Sequence, residues 1–558
     1  MNTLYSSYNP VQVPHYNSLP EFFFDQTAKY SDSTALVWPK ENLSYSFSEL
    51  KQIVNYLCSG LQQIGVRQYD VIGTFLSNCP EFVFLFLAVQ RLGAVVTTCN
   101  PAYTAEELSH QFRSSGVGFI FTQPEFIETV NKVRSQLPKL QETVLLHTKT
   151  KSLNYRLFGD VLELGKRSEH TLQLPKISRD DVCFILYSSG TTGLPKGVML
   201  THYQIYCNSY LVINMRGSEP VLQLTSRDVA LDVFPFFHAG GICLGILWTL
   251  LQGCSLVINP QYSPDLFLST IQKYKVSVLV LVPPVIVFLS QSSLIHKYDI
   301  SSVRYVLTAG APLPSAPARK LVARLSLHHL MQMYGMTELA VVSHLQPYTA
   351  KSKSKIGTVG VVVPNASCRI MNPESMKALG PGEIGEIWVK SPTAMKGYLN
   401  NPNATNEMIT KDGWLRTGDM GRYDDDGYFY IEDRLKELIK VRGFQVAPAE
   451  LEALILTHPA VSDVIVIAVD FVARHVTRYK RLAAGVRFVQ ELPKTASGKL
   501  LRRKLREEAR MELQAKLSLA VKLVIGVSIG SILAAAILCG YVVAKCYADS
   551  EEEIQGFL

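Results

Sequence analysis

From about Phe47 onward, short apolar runs alternate with stretches of helical periodicity. Val182–Tyr187, Val276–Val282 and Val303–Thr308 have the length of buried strands, and Gly, Pro or Ser bounds each of them. Apolar residues at helical spacing fill Glu81–Leu92 and Tyr203–Ile213. Apolar strands alternating with amphipathic helices predict an α/β fold with largely parallel sheets. A chain of 558 residues exceeds what one core supports, so two or more domains are expected.

The pattern changes near Asp419–Arg434, where Gly and Asp cluster around a short run of aromatic residues. That stretch predicts tight turns about a hairpin. We place a large N-terminal α/β domain at residues 1–432. A small α+β domain follows at 433–512. Its predicted elements are a helix at Pro448–Leu456, a strand at Val464–Val469, a helix at Phe471–Tyr479 and a strand at Val486–Val489.

Residues Leu523–Ala544 carry no charged side chain. As a helix they would reach ~33 Å, enough to cross a bilayer. A buried core helix is the competing reading. Basic residues precede the run, and a short acidic tail at 545–558 follows it. The positive-inside rule then leaves the large domains in the cytosol, as in a tail-anchored protein. The acidic tail points to the endoplasmic reticulum ahead of the peroxisome or the mitochondrial outer membrane. Gly526 and Gly530 have a spacing that can pair two such helices, a common and weak signal.

Composition narrows the picture. Hydrophobic residues make up 47% and charged residues 18%, which is globular and not disordered. A net charge of +8, without a block of like charge, gives no nucleic-acid-binding face. Ten cysteines occur singly and without a CxxC pair, which speaks against a zinc site or disulfide framework.

The densest chemistry lies in Tyr187-Ser-Ser-Gly-Thr-Thr-Gly-Leu-Pro-Lys196-Gly197. Gly190 and Gly193 let the backbone present N–H groups to an anion. Ser188, Ser189, Thr191 and Thr192 add hydroxyl donors, and Lys196 adds charge. Such a loop suits a polyphosphate. It is not a Walker A loop, because Pro195 stands where the second glycine belongs and Gly197 follows the lysine.

With four further stretches, this loop resembles the adenylate-forming superfamily of acyl-CoA synthetases, luciferases and peptide-synthetase adenylation domains, most nearly the 4-coumarate–CoA ligases. The stretches are Tyr334-Gly-Met-Thr-Glu338, Gly413-Trp-Leu-Arg-Thr-Gly-Asp419, the run from Asp433 to Pro448, and Pro493-Lys-Thr-Ala-Ser-Gly-Lys499. The resemblance covers about Leu19 to Arg510.

It implies ATP, Mg²⁺ and CoA as reactants of a carboxylic acid. The 188–196 loop would hold the β- and γ-phosphates, Glu338 the Mg²⁺ and Thr337 the α-phosphate. Asp419 would accept from the ribose hydroxyls beside Arg434. Gln332, Tyr334, Gly335, Gly310, Ala311 and Pro312 would complete the nucleotide site. Lys499 would bridge the acid and the α-phosphate during adenylation. His238, in Phe234-Pro-Phe-Phe-His238-Ala-Gly-Gly241, would orient the acid, although a lone His among aromatics is often just packed. With it, Ala239, Gly240, Gly310, Val341, Val342 and Leu345 would form the acyl pocket. Ala239 and Gly240 leave that wall without bulk, so an elongated or bulky acyl group is expected to fit. Lys436 matches the hinge about which the family rotates its small domain. Lys440, Arg442, Gly443 and Gln445 match the residues serving CoA and the adenylate, with Arg442 where lysine is usual.

One departure stands out. In the family, the strand equivalent to Val464–Val469 runs into a loop and another strand before the next helix. Here Asp470 joins strand and helix directly, so the small domain is shortened near 469–471 and its sheet is expected to have an unfilled edge. Three functions therefore compete: a CoA ligase, a catalytically impaired membrane-tethered nucleotide- and acyl-binding protein, and a luciferase-like adenylate oxygenase.

Overall fold

The structure is a computed structural model. It describes residues 3–150, 152–188, 195–215, 222, 224–311, 313–327, 329–349, 351, 354–435, 439–441, 444–446, 461–469, 486–488, 505 and 539–546. Among these, two large sheets dominate. One has eight strands, with Val71–Phe75 between Val95–Thr98 and Phe119–Thr122, and Val182–Ser188 next to Val95–Thr98. The other has nine strands and carries the parallel run Val229–Asp232, Val278–Leu281, Tyr305–Thr308 and His329–Tyr334. The expected strands and the helices Pro80–Arg91 and His202–Ile213 all form, with ends shifted by one or two residues.

Helix Pro80–Arg91 joins the layers. Pro80 at its first turn presets the backbone, and ten of its twelve residues are buried. It packs on Val95–Thr98 of one sheet and Thr34–Trp38 of the other. Phe82 and Phe86 meet Phe236 and Phe184 with ring centroids 5.7 and 5.8 Å apart, a ladder of aromatics between the layers. Thr201 and Gln204 form a capping box that starts His202–Ile213 directly after strand Lys196–Thr201.

A five-stranded antiparallel sheet ends in the hairpin Leu415–Tyr423 and Phe429–Arg434, as the Gly- and Asp-rich stretch predicts. Ile439–Val441 and Phe444–Val446 then make a two-stranded ribbon. The predicted helices at Pro448–Leu456 and Phe471–Tyr479 lie outside the described residues.

Near the C-terminus, Val461–Val469 and Val486–Phe488 form as expected. Between them lies Cys539–Cys546, antiparallel to the first over Val461↔Cys546 to Val469↔Cys539 and parallel to the second. The last six residues of the expected membrane helix are therefore strand, while residues 523–538 lie outside the described ones. Tyr541, Val542 and Val543 favour an extended backbone once a partner strand is available, which is the physical reason for the difference. No described helix is long and apolar enough to cross a membrane.

Candidate active site

Strand Val182–Ser188 turns back into Lys196–Thr201 with Ser188 opposite Lys196. The glycine- and hydroxyl-rich segment thus closes an antiparallel hairpin, whereas a Walker A loop opens a helix. Ser189, Gly190, Thr191, Thr192 and Gly193 lie outside the described residues; Ser188 and Lys196 fix where the loop leaves and returns.

At that mouth sits Glu338, buried at 4% exposure. Its Oε1 accepts from Ser188 Oγ and from the Tyr398 hydroxyl, each at 2.9 Å. Lys196 Nζ lies 5.1 Å from the centre of the Tyr398 ring, a cation–π contact. Burial, and then the Glu338 charge, push the Tyr398 phenol well above its usual range, so it stays a donor. Three elements meet here: the hairpin of one sheet, the turn after His329–Tyr334 of the other, and edge strand Gly397–Tyr398. Among the described residues both bonds fall on Oε1. Carboxylate and hydroxyl oxygens are the donors that Mg²⁺ takes.

The turn carrying Thr337 and Glu338 is tight. Ala340 and Val341 both have positive φ, at 51° and 92°. For a β-branched residue such as Val341 this is a strained backbone, of the kind held where structure over-determines it. A side chain on Gly335 would fall 1.5 Å from the Val341 carbonyl oxygen, so the turn closes only over glycine. The Asn208 side chain, on the helix after the hairpin, bonds both Val342 N–H and Val342 C=O. Val342 and Leu345 are buried in the main core.

Tyr334 donates to Asp419 Oδ2 at 2.8 Å, and Asp419 N–H donates to Thr417 Oγ1. Asp419 lies directly opposite Arg434 across the hairpin. Asp419 and Arg434 thus stand on neighbouring strands of one sheet, and Tyr334 reaches Asp419 from another. Gln332 pairs with Thr308 and exchanges backbone-linked bonds with Gln346, and Gly310 follows Thr308 at φ 91°.

His238 accepts from Gly240 N–H at Nδ1, 3.1 Å away. An imidazole that accepts at Nδ1 carries its proton on Nε2. Ala239 and Gly240 are buried beside it. In the ribbon, Lys440 and Gln445 stand opposite each other. The side chains of Arg434, Lys440 and Gln445, and residues Pro312, Lys436, Arg442, Gly443 and Lys499, lie outside what the structure describes.

Sequence reasoning missed Tyr398 and Asn78. Tyr398 meets Glu338 across 60 residues, and Asn78 meets Phe234 across 156, so neither belongs to a local motif.

Cys79, Glu81 and His147 also bring ligand atoms within 4.8 Å of one another. The hydrogen-bond polarity speaks against a metal. Ser77 N–H donates to Gln123 Oε1, so the Gln123 amide donates to His147 Nδ1, and Nε2–H faces Glu81 Oε2 at 3.1 Å. Burial would raise the Glu81 carboxyl, but the bond and charge of His147, with bonds from the backbone and Cys79, together hold it below its usual range. The cluster is a close His147–Glu81 contact between the first turn of helix Pro80–Arg91 and the segment after strand Glu142–Leu145.

Known proteins resemble the chain along most of its length. The family model of the AMP-binding enzymes matches residues 23–399. The chain is 35% identical over 533 residues to 4-coumarate–CoA ligase 1 of Arabidopsis thaliana, covering 89% of this chain and 93% of that protein. It is 36% identical to 4-coumarate–CoA ligase of Vanilla planifolia over 89% and 94%. The anthranilate CoA ligase AuaEII, solved with anthranoyl-AMP, superposes with a TM-score of 0.81 at 25% identity, over 90% of this chain and 99% of that one. ATP-bound MatB from Rhodopseudomonas palustris superposes at 0.76 with 26% identity, over 88% and 99%.

Proposed function

Since the chain belongs to the AMP-binding family of adenylate-forming acyl- and aryl-CoA ligases, we propose that it joins a carboxylic acid to CoA at the expense of ATP, through an acyl-adenylate. The observation that carries this reading is the Ser188–Glu338–Tyr398–Lys196 cluster at the mouth of the glycine-rich hairpin. The difficulty of the first step is that two anions must meet, a carboxylate and the α-phosphate. Lys196 and the hairpin donors offset the charge of the phosphates. Glu338 holds Mg²⁺, which supplies charge neutralisation when bound. His238 orients the acid, and Asp419 with Tyr334 fixes the nucleoside end. Lys499 completes the adenylation step from the small domain, and Lys440, Arg442, Gly443 and Gln445 serve CoA.

Residues 523–544 keep the composition of a membrane span, and a cytosolic, tail-anchored arrangement at the endoplasmic reticulum is part of the same proposal. It would put activation beside lipid and suits an apolar acid.

The test is pyrophosphate release by the full chain in detergent with Mg-ATP and a panel of aromatic and fatty acids, with and without CoA. CoA-dependent thioester is the expected product. Pyrophosphate without thioester would limit the protein to the adenylation half. ATP binding without turnover would reject the ligase and leave the tethered binding protein.

A further inference from the structure

The segment between strand Val229–Asp232 and His238 belongs to the nine-stranded sheet, yet side chains of the eight-stranded sheet hold it. Asn78, in the turn after strand Val71–Phe75, donates from Nδ2 to the Phe234 carbonyl at 3.1 Å and accepts at Oδ1 from Phe236 N–H at 2.8 Å. Thr98, at the end of the neighbouring strand, donates to the Phe237 carbonyl at 2.5 Å. From its own sheet, Asp232 Oδ1 accepts from Phe234 N–H at 2.8 Å. The backbone from 234 to 237 is therefore held at each residue, with the Pro235 carbonyl accepting from His238 N–H itself.

What this grip orients is the Phe234 ring. Phe234 is 1% exposed. A side chain on Gly240 would stand 3.0 Å from Phe234 Cδ1, and one on Gly310 would stand 3.5 Å from Phe234 Cε1. Both glycines belong to the acyl side of the site, and they come from different loops. The ring thus lies against both walls and takes up space that two absent side chains leave open. The missing bulk at Gly240 is not simply vacant volume.

We propose that Phe234 sets the size of the acid this site accepts, and that Asn78 is the positioning residue that holds Phe234 and His238 in register. The proposal rests on the ligase reading for the identity of the acid. It follows from steric and hydrogen-bond geometry: two bonds to one short polar side chain define both position and tilt of a peptide segment. An aromatic ring in a packed interior cannot yield space by small adjustments.

Two readouts separate this proposal from the ligase reading. The first is affinity for non-hydrolysable acyl-sulfamoyl adenosines carrying acetyl, benzoyl and dodecanoyl groups, which needs no turnover. The second is acid-dependent ATP–pyrophosphate exchange. In F234A, and in the milder F234L, affinity for the larger acyl groups relative to acetyl should rise at least tenfold. Affinity for ATP should stay within twofold. N78A should raise KM for every acid at least tenfold with KM for ATP unchanged. N78D keeps the acceptor for Phe236 N–H but sets an oxygen against the Phe234 carbonyl, and should behave like N78A.

An analogue ranking unchanged within twofold in folded F234L overturns the role of Phe234. Parallel rises in KM for acid and ATP in N78A would make Asn78 merely structural and overturn its role. If exchange is absent while the ranking shifts in F234L, the ligase reading fails and the size determinant stands. If exchange is present and the ranking does not move, the reverse holds.

Discussion

In the nine-stranded sheet, Val278–Leu281, Tyr305–Thr308 and His329–Tyr334 follow one another through crossovers that each hold one α-helix, and each pairs with the next in sequence. The three-stranded sheet near the C-terminus is put together differently. Its middle strand, Cys539–Cys546, comes from about 70 residues beyond the strand it pairs with. Among the described residues, Val461–Val469 and Val486–Phe488 pair only through it. The body carries its own register in local periodicity. The small sheet depends on a segment whose composition suits a membrane helix equally well. The difference shows that an apolar run specifies burial, while the available partner decides between strand and helix.

The sharpest way to break the comparison is to remove the chemistry we assign to the body alone. Glu338→Gln leaves Tyr398 and Ser188 an oxygen to bond but removes the charge meant for Mg²⁺. Acid-dependent ATP–pyrophosphate exchange should fall by about 10²–10³, the scale on which single charge-stabilising groups act. Retention of exchange within tenfold would remove Glu338 from the metal role.

Next in size is the turn that presents Glu338. Gly335→Ala would drive a methyl into the Val341 carbonyl, and backbone cannot retreat as a flexible side chain can. A loss of about 3 kcal/mol is expected, at the upper end of overpacking costs. Urea unfolding of the body would measure it, and a variant as stable as the parent would show that the strained Ala340–Val341 turn has room to open.

These two sites also mark how far the sequence could be read. Ser188, Lys196, Glu338, Tyr334 and Asp419 are legible as candidates because each lies in a dense local motif that resembles the family's. The buried strands were legible because continuous apolar runs bounded by Gly, Pro or Ser leave few alternatives. Tyr398, Asn78 and Phe234 were not legible as partners, since each acts across a junction between sheets and nothing in its own neighbourhood requires it. The strand at 539–546 was hidden for another reason: its charge-free flank matched the bilayer thickness before any protein partner was known.

A smaller effect should follow from the two buried histidines of the body. Burial pushes His202 and His344 down to about 3 from an ordinary value near 6.5. Both are neutral in the folded chain. Above pH 6.5 the unfolded chain holds them neutral too, and their full contribution is present. As pH falls from 6.5 towards 3, only the unfolded chain takes up the protons, so stability is lost. At pH 5 each histidine costs about 2 kcal/mol relative to neutrality. His202→Asn offers an oxygen in place of Nδ1 for the Leu19 N–H and does not titrate. Its loss of stability between pH 7.5 and pH 5, read from urea midpoints, should be about 2 kcal/mol smaller than that of the parent. An identical pH dependence would mean that His202 is not held neutral by burial.

The effect on the body should be smallest where the comparison is most direct. If Cys539–Cys546 is seated as strand, the charge-free run left over is 523–538, ~24 Å as a helix and short of a ~30 Å bilayer core. Membrane insertion of 523–544 therefore requires the middle strand to leave the small sheet, so the two states exclude each other. Val469 faces Cys539, and Ile467 faces Tyr541. V469C should form an intramolecular cross-link to Cys539 under mild oxidation, and I467C, two residues out of register, should not. The cross-linked V469C protein should bind ATP as the parent does, yet fail to co-sediment with phosphatidylcholine–phosphatidylserine vesicles that the reduced protein binds. Equal cross-linking in both variants would deny the strand its register. Vesicle binding that survives the cross-link would show that the anchor does not need residues 539–544, and the small sheet would then be as self-sufficient as the large ones.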